Sequence, residues 1–202
     1  MPTTPSTNPG TSGGSNGMSF VLQGRLLICE GDNRQVTRRE LDGTYTPLAQ
    51  RLGGKRINRP NDLVTRSDGS IYFTDPGGRL APEARELGFN GVHRIAPDGT
   101  LSNATADTEY PNGLAFSPDE RILYVAITRR DEGCIEEKAR GEVCTHQVIR
   151  AFDVAADGTL SNNRIFATLA SASDGVPDGM KVDAAGRIYC TGPEGCWVFD
   201  AS

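Results

Sequence analysis

The sequence predicts an all-β fold, a β-propeller built from repeated blades of about four short strands. A Pro-Asn or Pro-Asp pair precedes a strand pattern three times, beginning at Pro60, Pro111 and Pro177, and a Tyr follows the polar residue after eleven or twelve residues. Short apolar runs also alternate with turn residues at regular spacing, which is typical of sandwiches, barrels and propellers. The repeat favours the propeller, because that fold arranges copies of one supersecondary unit around an axis.

Each repeat contains the strands and turns of a blade. The polar turn leads into a first strand, a tight turn, a strand with an Ile-Tyr or Leu-Tyr pair, and further strands. Asp-Gly pairs at Asp42, Asp68, Asp98 and Asp157 predict hairpin turns. The sequence predicts no long helix, and residues 131–141 are charged without an apolar stripe.

The chain has two compositionally different parts. Residues 1–18 are almost all Pro, Ser, Thr, Asn and Gly, which cannot form a core, so we expect a disordered tail there. Residues 19–202 are expected to form the propeller. At roughly 40–50 residues per blade, this length suits about four blades.

Charge and hydropathy exclude several functional classes. The net charge of −5 and the isoelectric point near 5.1 argue against a nucleic-acid partner. No apolar run approaches the roughly 20 residues that span a bilayer, and the first residues lack the basic and apolar regions of a secretory signal. We therefore expect a cytoplasmic protein with no membrane partner; the sequence does not indicate its oligomeric state.

Five cysteines do not indicate a full disulfide framework. Cys29, Cys190 and Cys196 fall in apolar strand patterns and are expected to be buried. Cys134 and Cys144 flank a polar loop and either form a bridge or remain free thiols, with free thiols favoured in a reducing compartment. No CxxC pair is present, which argues against a cysteine-bound zinc ion.

The repeated polar residues are the candidate functional residues. Asn61, Asn112 and Asp178 hold equivalent places in the three repeats, so their side chains are expected to converge on one axis. Oxygen-bearing side chains placed in this way suit a hard metal ion. The alternative is a turn role, since Asn and Asp after Pro commonly bond nearby backbone groups. Three such residues in register favour the ion site.

Other polar residues are expected to have structural roles. Asp62 is predicted to cap its turn, and Asp75 is predicted to cap a strand end. His93 occupies an aromatic position of a strand, so packing or exposure is expected for it. His146 follows the charged loop and is expected to be exposed.

Three stretches carry a resemblance to a known family. They are CEGDNRQVTRRELDGTYTPLAQRLGGKRINRPNDLVTRSDGSIYFTDP, PNGLAFSPDERILYVA and GVPDGMKVDAAGRIYCTGPEGCWVFD. Their order and spacing closely resemble the SMP-30/gluconolactonase/luciferin-regenerating-enzyme family from about Leu22 to Asp200. The resemblance implies a six-bladed β-propeller, of which this chain holds about four blades and is truncated at both ends.

The resemblance also implies a function and a site. Family members typically hydrolyse sugar lactones with a divalent cation in the central channel; calcium is favoured here, with zinc or magnesium as alternatives. Asn112 and Asp178 match two of the family's metal ligands, and Asp178 is the expected catalytic residue. Asn61 matches a residue that touches substrate or ligates the metal, and Arg59 matches a substrate-binding arginine of some members.

One family feature has no counterpart in the sequence. The resemblance implies a glutamate ligand in an early Glu-Gly-Pro-Val-Trp type motif, and Glu30 lies in a different motif. Two alternatives to a lactone hydrolase therefore stay open. One is a catalytically inactive, truncated propeller fragment. The other is a non-enzymatic propeller binding module of the strictosidine-synthase-like kind.

Overall fold

The computed structural model of the chain describes residues 14–21, 23–78, 80–128, 132–143 and 146–200. They form two compact units. The first unit comprises the residues up to Phe89 together with His93–Asn103. The second comprises Asn90–Val92 and the residues from Ala104 onward.

The described strands form four blades and one short hairpin. The first blade contains β1 (Ser15–Phe20), β2 (Leu26–Glu30), β3 (Gln35–Arg39) and β4 (Tyr45–Ala49), and the hairpin of β5 (Arg51–Leu52) and β6 (Lys55–Arg56) follows it. The second blade contains β7 (Leu63–Thr65), β8 (Ile71–Asp75), β9 (Gly91–Ile95) and β10 (Leu101–Thr105). The third contains β11 (Pro111–Phe116), β12 (Ile122–Ile127), β13 (Val148–Val154) and β14 (Leu160–Thr168). The fourth contains β15 (Met180–Val182), β16 (Ile188–Gly192) and β17 (Gly195–Phe199).

Within each blade, strands that are consecutive in the chain are neighbours in the sheet. The prediction of an all-β propeller with about four blades is confirmed. Tight turns account for most of these pairings, because a tight turn can join only adjacent antiparallel strands. Two neighbouring pairs are joined by longer segments, residues 76–90 between β8 and β9 and residues 128–147 between β12 and β13.

The Asp-Gly pairs form the predicted hairpin turns. In each, the aspartate Oδ1 accepts a hydrogen bond from the amide two residues later, at 2.9 Å in Asp42, 2.7 Å in Asp68, 2.9 Å in Asp98 and 2.9 Å in Asp157. The following glycine takes φ between 85° and 90° in every case. This left-handed conformation strains any residue with a Cβ, so the glycine fixes the place of the turn.

The predicted disordered tail differs from the structure at its end. Strand β1 begins at Ser15, so residues 15–18 belong to the first blade. The polar composition hid this strand because two of its residues, Met18 and Phe20, carry nearly all of its apolar character. The remainder of the predicted tail, residues 1–13, lies outside the described residues.

Within the described part of the chain, one α-helix is present, α1 (Glu132–Ala139), in the charged segment that lacks an apolar stripe. Tertiary contacts hold it. Cys134 is buried, and the Lys138 ammonium donates to the carbonyl oxygens of Ser173 and Gly175 at 2.8 and 2.7 Å. In the described ranges, no helix is both long and apolar enough to cross a membrane.

Each unit has its own apolar core. The first is built around fully buried Leu27, Ile57 and Phe73. The second is built around Tyr124 and Ile188, and Trp197 and Phe199 of the last strand pack against it. Complete burial of one such side chain contributes about 1.5–3 kcal/mol, so these clusters supply much of the stability of each unit.

The cysteines follow the predictions in part. Cys29 and Cys190 are buried free thiols, whereas Cys196 is exposed, so the prediction for Cys196 was wrong. It lies on β17, whose residues alternate between exposed and half-buried. Cys134 is disulfide-bonded. Cys144 lies outside the described residues.

A buried polar pair lies at the end of β8. Asp75 and His93 are both 0% exposed, and His93 Nε2 lies 3.2 Å from Asp75 Oδ2. The backbone amide of Asn58 donates a hydrogen bond to the same carboxylate oxygen at 2.7 Å. The His93 ring packs against Phe73 at 5.2 Å between ring centroids. His93 is therefore packed rather than exposed, and it donates to a carboxylate that has left water.

We predict that His93→Phe lowers the free energy of unfolding by about 1.5–3 kcal/mol, because a buried carboxylate loses a donor while the aromatic packing is kept. Adding Asp75→Asn should recover part of this loss, since an unpaired amide is less costly to bury than an unpaired carboxylate. Urea unfolding of both single variants and the double variant measures the coupling between the two residues. Additive single effects would contradict the pairing.

Candidate active site

Asn112 and Asp178 lie at the starts of neighbouring blades in the second unit. The pairing of β11 with β12 shifts register between Pro111 and Leu114, which places Asn112 and Gly113 in a bulge. The Gly113 amide donates to the carbonyl oxygen of Asp178 at 3.0 Å. Two of the predicted metal ligands are thus joined through one backbone hydrogen bond.

Gly113 permits this close approach. A Cβ at this position would overlap the carbonyl oxygen of Asp178 and would lie 2.7 Å from the amide nitrogen of Met180. Both neighbours are backbone atoms, which cannot move aside as a flexible side chain can. The close packing of β11 against the Asp178 backbone therefore requires a glycine after Asn112.

Thr128 fixes both members of the pair. It is 2% exposed, and its hydroxyl accepts a hydrogen bond from Asn112 Nδ2 at 3.1 Å. The same hydroxyl donates to the carbonyl oxygen of Pro177, the residue before Asp178. One buried hydroxyl thus orients the Asn112 amide and the segment that carries Asp178.

The Asp178 carboxylate is exposed, whereas its backbone is fixed. Its amide donates to the Thr191 carbonyl at 3.1 Å, and the Thr191 amide donates to the Gly179 carbonyl at 3.0 Å. Neighbouring Cys190 is buried, and burial raises the pKa of its thiol to about 12. The thiol is therefore protonated near neutral pH.

Arg59 and Asn61 lie in the first unit, on the segment that leads into β7. The Asn61 amide donates to the Thr74 carbonyl at 2.9 Å, and the Thr74 amide donates to the Asp62 carbonyl at 2.9 Å. Asp62 Oδ1 accepts from the Leu63 amide at 2.8 Å, a local contact of the kind that a turn role requires. Arg59 lines a cavity of about 450 Å³ with Gly31, Asp32, Arg34 and Leu80.

The structure adds a residue that the sequence reading missed, Asn16. Strand β1 shifts register against β2 between Ser15 and Met18, so Asn16 and Gly17 form a bulge like that of β11. The Gly17 amide donates to the Asn61 carbonyl at 2.7 Å, and Asn16 Nδ2 donates to Asn61 Oδ1. Asn16 therefore holds in the first blade the position that Asn112 holds in the third.

A signal for Asn16 was present in the sequence. Asn16-Gly17-Met18 has the pattern of Asn112-Gly113-Leu114, in which Asn-Gly precedes an apolar residue. A serine stands before Asn16 where the other repeats have proline, so the search by Pro pairs passed over it.

The side chains at these four positions suit a hard cation by ligand type. Amide and carboxylate oxygens are ligands that calcium accepts. Three of the four are neutral amides, and Asp178 alone is charged. Among the described residues, no group of three or more His, Cys, Asp or Glu side chains is placed to hold a metal ion.

Glu30 does not add a second carboxylate to this set. It is 1% exposed, and its Oε2 accepts hydrogen bonds from Asn33 Nδ2 at 2.5 Å and Gln35 Nε2 at 3.1 Å. His146 is exposed, as expected.

Comparison with known proteins identifies the family. The model of the SMP-30/gluconolactonase/LRE-like region matches residues 3–201. The chain belongs to this family.

Two relatives within the family carry the name gluconolactonase. One, from Zymomonas mobilis, is 30% identical over 191 residues, which cover 92% of this chain and 51% of the relative. A solved gluconolactonase of Xanthomonas campestris is 40% identical with a TM-score of 0.76, and the match covers 93% of this chain and 59% of that one. This SMP-30/gluconolactonase/LRE-like chain thus spans about half the length of its curated relative.

A more distant structure supports the fold. Regucalcin of Agrobacterium tumefaciens, described as a calcium-binding protein, is 19% identical with a TM-score of 0.64, and the match covers 93% of this chain and 57% of that one. At this identity the likeness concerns the propeller fold of the family.

We predict that Gly113→Ala lowers the free energy of unfolding by about 1–3 kcal/mol, because the added methyl group forces β11 away from the Asp178 backbone. Gly88→Ala is the matched control: a Cβ there meets nothing within 4 Å, and Gly88 does not have a left-handed φ. Urea unfolding curves of the two variants give the comparison. Equal stability of both would show that the Gly113 contact does not constrain the site.

Proposed function

We propose that this chain is part of a gluconolactonase-type hydrolase that opens a small sugar lactone. The observation that carries the proposal is the backbone contact that joins the Asn112–Gly113 bulge to Asp178, whose carboxylate is exposed, together with the bonds of Thr128 to Asn112 and Pro177. The family membership and the gluconolactonase relatives supply the reaction class. Lactone hydrolysis adds water to the carbonyl carbon and breaks the ring ester bond, giving a hydroxy acid.

The proposed cation ligands are Asn61, Asn112 and Asp178, with Asn16 as a fourth oxygen donor at the equivalent position of the first blade. Calcium is the favoured ion, because all four donors are oxygens; zinc and magnesium are alternatives. When bound, a divalent cation would polarise the lactone carbonyl and stabilise the charge that develops on its oxygen.

Asp178 is proposed as the catalytic base. It is the one carboxylate of the repeated set, its side chain is exposed, and its backbone is fixed by Thr191 and Gly113. A carboxylate held in this way can accept a proton from the attacking water. The side-chain nitrogen of Asn112 is bonded to Thr128, so Asn112 is proposed to orient the ligand rather than to transfer protons.

Arg59 and Asn61 are proposed to bind substrate. The Arg59 guanidinium lines the cavity of the first unit and is held there by Gly78 and Asp32. A guanidinium donates to hydroxyl or carboxylate oxygens in a fixed plane, which suits a polyhydroxylated lactone and its acid product.

We predict that Asp178→Ala abolishes hydrolysis of glucono-1,5-lactone in the presence of calcium, because it removes both the proposed base and the charged ligand of the cation. Asp62→Asn should keep most of the activity, since asparagine can still accept from the Leu63 amide. A pH-stat assay of purified residues 1–202 and both variants measures this. Equal turnover by the wild type and Asp178→Ala would remove Asp178 from the mechanism.

The non-enzymatic alternative is separated by the same preparation. Calcium binding by calorimetry without turnover of any sugar lactone would favour a binding module, whereas turnover that needs Asp178 supports the hydrolase.

We predict that Asn16→Asp raises the affinity for calcium about tenfold or more, because it adds a second carboxylate at a repeated position. Asn103→Asp, on exposed strand β10, adds the same charge away from these positions and should leave the affinity within about twofold. Calorimetric titration of the two variants with calcium provides the test. Equal affinities would place Asn16 outside the cation site.

A further inference from the structure

We propose that Asp32 is a specificity-determining residue: together with Arg59 it forms a hydroxyl-binding subsite that selects polyhydroxylated lactones over unsubstituted ones. The inference rests on the lactone hydrolase proposed above. It concerns only the first unit and uses no cation.

The subsite lies in a pocket that is open to solvent. Its volume of about 450 Å³ lies in the range of small-molecule sites, and Arg59 and Asp32 both line it. The side chains are 22% and 52% exposed, so their polar groups can reach a ligand from a partly enclosed wall.

Arg34, the other cation of the cavity, is not available to a ligand. Its Nε donates to the carbonyl oxygens of Ile57 and Asn58 at 2.8 and 3.0 Å, and its Nη1 donates to Ala84 at 3.0 Å. The guanidinium is therefore part of the wall, and it fixes the backbone directly before Arg59.

Arg59 keeps free donors. Its Nη2 donates to Asp32 Oδ1 and its Nη1 donates to the Gly78 carbonyl at 3.2 Å. A guanidinium has five N–H groups, so three remain without an acceptor among the described residues. Gly31 leaves space beside them, because a Cβ there would lie 3.5 Å from Arg59 Nε.

Asp32 supplies the complementary acceptor. Oδ1 accepts from Arg59, and Oδ2 accepts from no donor among the described residues. A hydroxyl both donates and accepts, so a pair of neighbouring hydroxyls requires donors and an acceptor side by side. The Arg59–Asp32 pair offers this combination at one wall of the cavity.

A purely structural role accounts poorly for Asp32. An ion pair with one partner half exposed contributes little to stability, because water screens the charges. A ligand hydroxyl that loses a charged acceptor, by contrast, is strongly discriminated against, because the remaining polar groups are left unpaired.

The test uses a binding readout that is independent of turnover. The ligands are 1,5-anhydro-D-glucitol, a cyclic polyol without a lactone carbonyl, and tetrahydropyran, the same ring without hydroxyls. Binding to residues 1–202 is measured by ligand-observed NMR titration for the wild type, Asp32→Asn and Asp68→Asn. Asp68 is the matched control, since it also forms an ion pair with an arginine, Arg66, at 3.2 Å but does not line the cavity.

We expect the polyol to bind the wild type and Asp68→Asn alike and Asp32→Asn about tenfold more weakly, which corresponds to about 1.4 kcal/mol. Tetrahydropyran should bind weakly to all three. If the protein also turns over lactones, Asp32→Asn should raise KM for glucono-1,5-lactone about tenfold and leave kcat/KM for δ-valerolactone unchanged.

The two proposals fail in distinguishable ways. Absence of turnover with selective, Asp32-dependent polyol binding would reject the hydrolase and keep the subsite. Polyol binding that is absent in the wild type, or equal in Asp32→Asn and wild type, would overturn the subsite. An equal loss on both lactones would also overturn it, because Asp32 would then act only through the position of Arg59.

Discussion

The same type of backbone hydrogen bond, from a glycine amide to the carbonyl oxygen of a polar residue, occurs in both units and determines where the candidate site residues lie. In the first unit the Gly17 amide donates to the Asn61 carbonyl at 2.7 Å, and in the second the Gly113 amide donates to the Asp178 carbonyl at 3.0 Å. Each bond satisfies the carbonyl oxygen of Asn61 or Asp178 and so fixes the backbone from which the candidate side chain extends. The donor must be glycine, because a Cβ at either position would collide with the partner backbone.

A buried polar network supports the first of these contacts. Arg34 has a φ of 57°, and its guanidinium donates hydrogen bonds to the carbonyl oxygens of Ile57, Asn58 and Ala84. The Asp75 carboxylate accepts a hydrogen bond from the backbone amide of Asn58. The segment that carries Arg59 is therefore fixed by charged groups removed from water, whose hydrogen bonds are stronger than those at the surface. The position of the backbone that leads to Arg59 therefore depends on these few side chains.

The features that the sequence predicted correctly are those set by the backbone preferences of a few neighbouring residues. The Asp-Gly turns and the three Pro-marked repeats follow from backbone preferences of single residues, and each was found where the chain predicted it. The start of β1 was missed, because Asn16-Gly17 lies in a stretch whose composition resembles a disordered tail. The Asp75–His93 pair and the Arg59–Asp32 contact join residues 18 and 27 positions apart, which no local pattern reveals. The exposure of Cys196 depends on the face of its strand, which a short apolar run does not specify.

The charges at the four repeated positions are unequal, and this has a structural consequence. Asn16 and Asn61 are neutral and can bond each other, since an amide offers a donor and an acceptor. Two carboxylates at those places would repel and would need a cation between them. The Asn16–Asn61 contact therefore joins the first two blades through neutral side chains, whereas Asp178 is the charged member of the repeated set. On the proposal made above, a bound cation would act on the chemistry at Asp178 more than on the stability of the first unit.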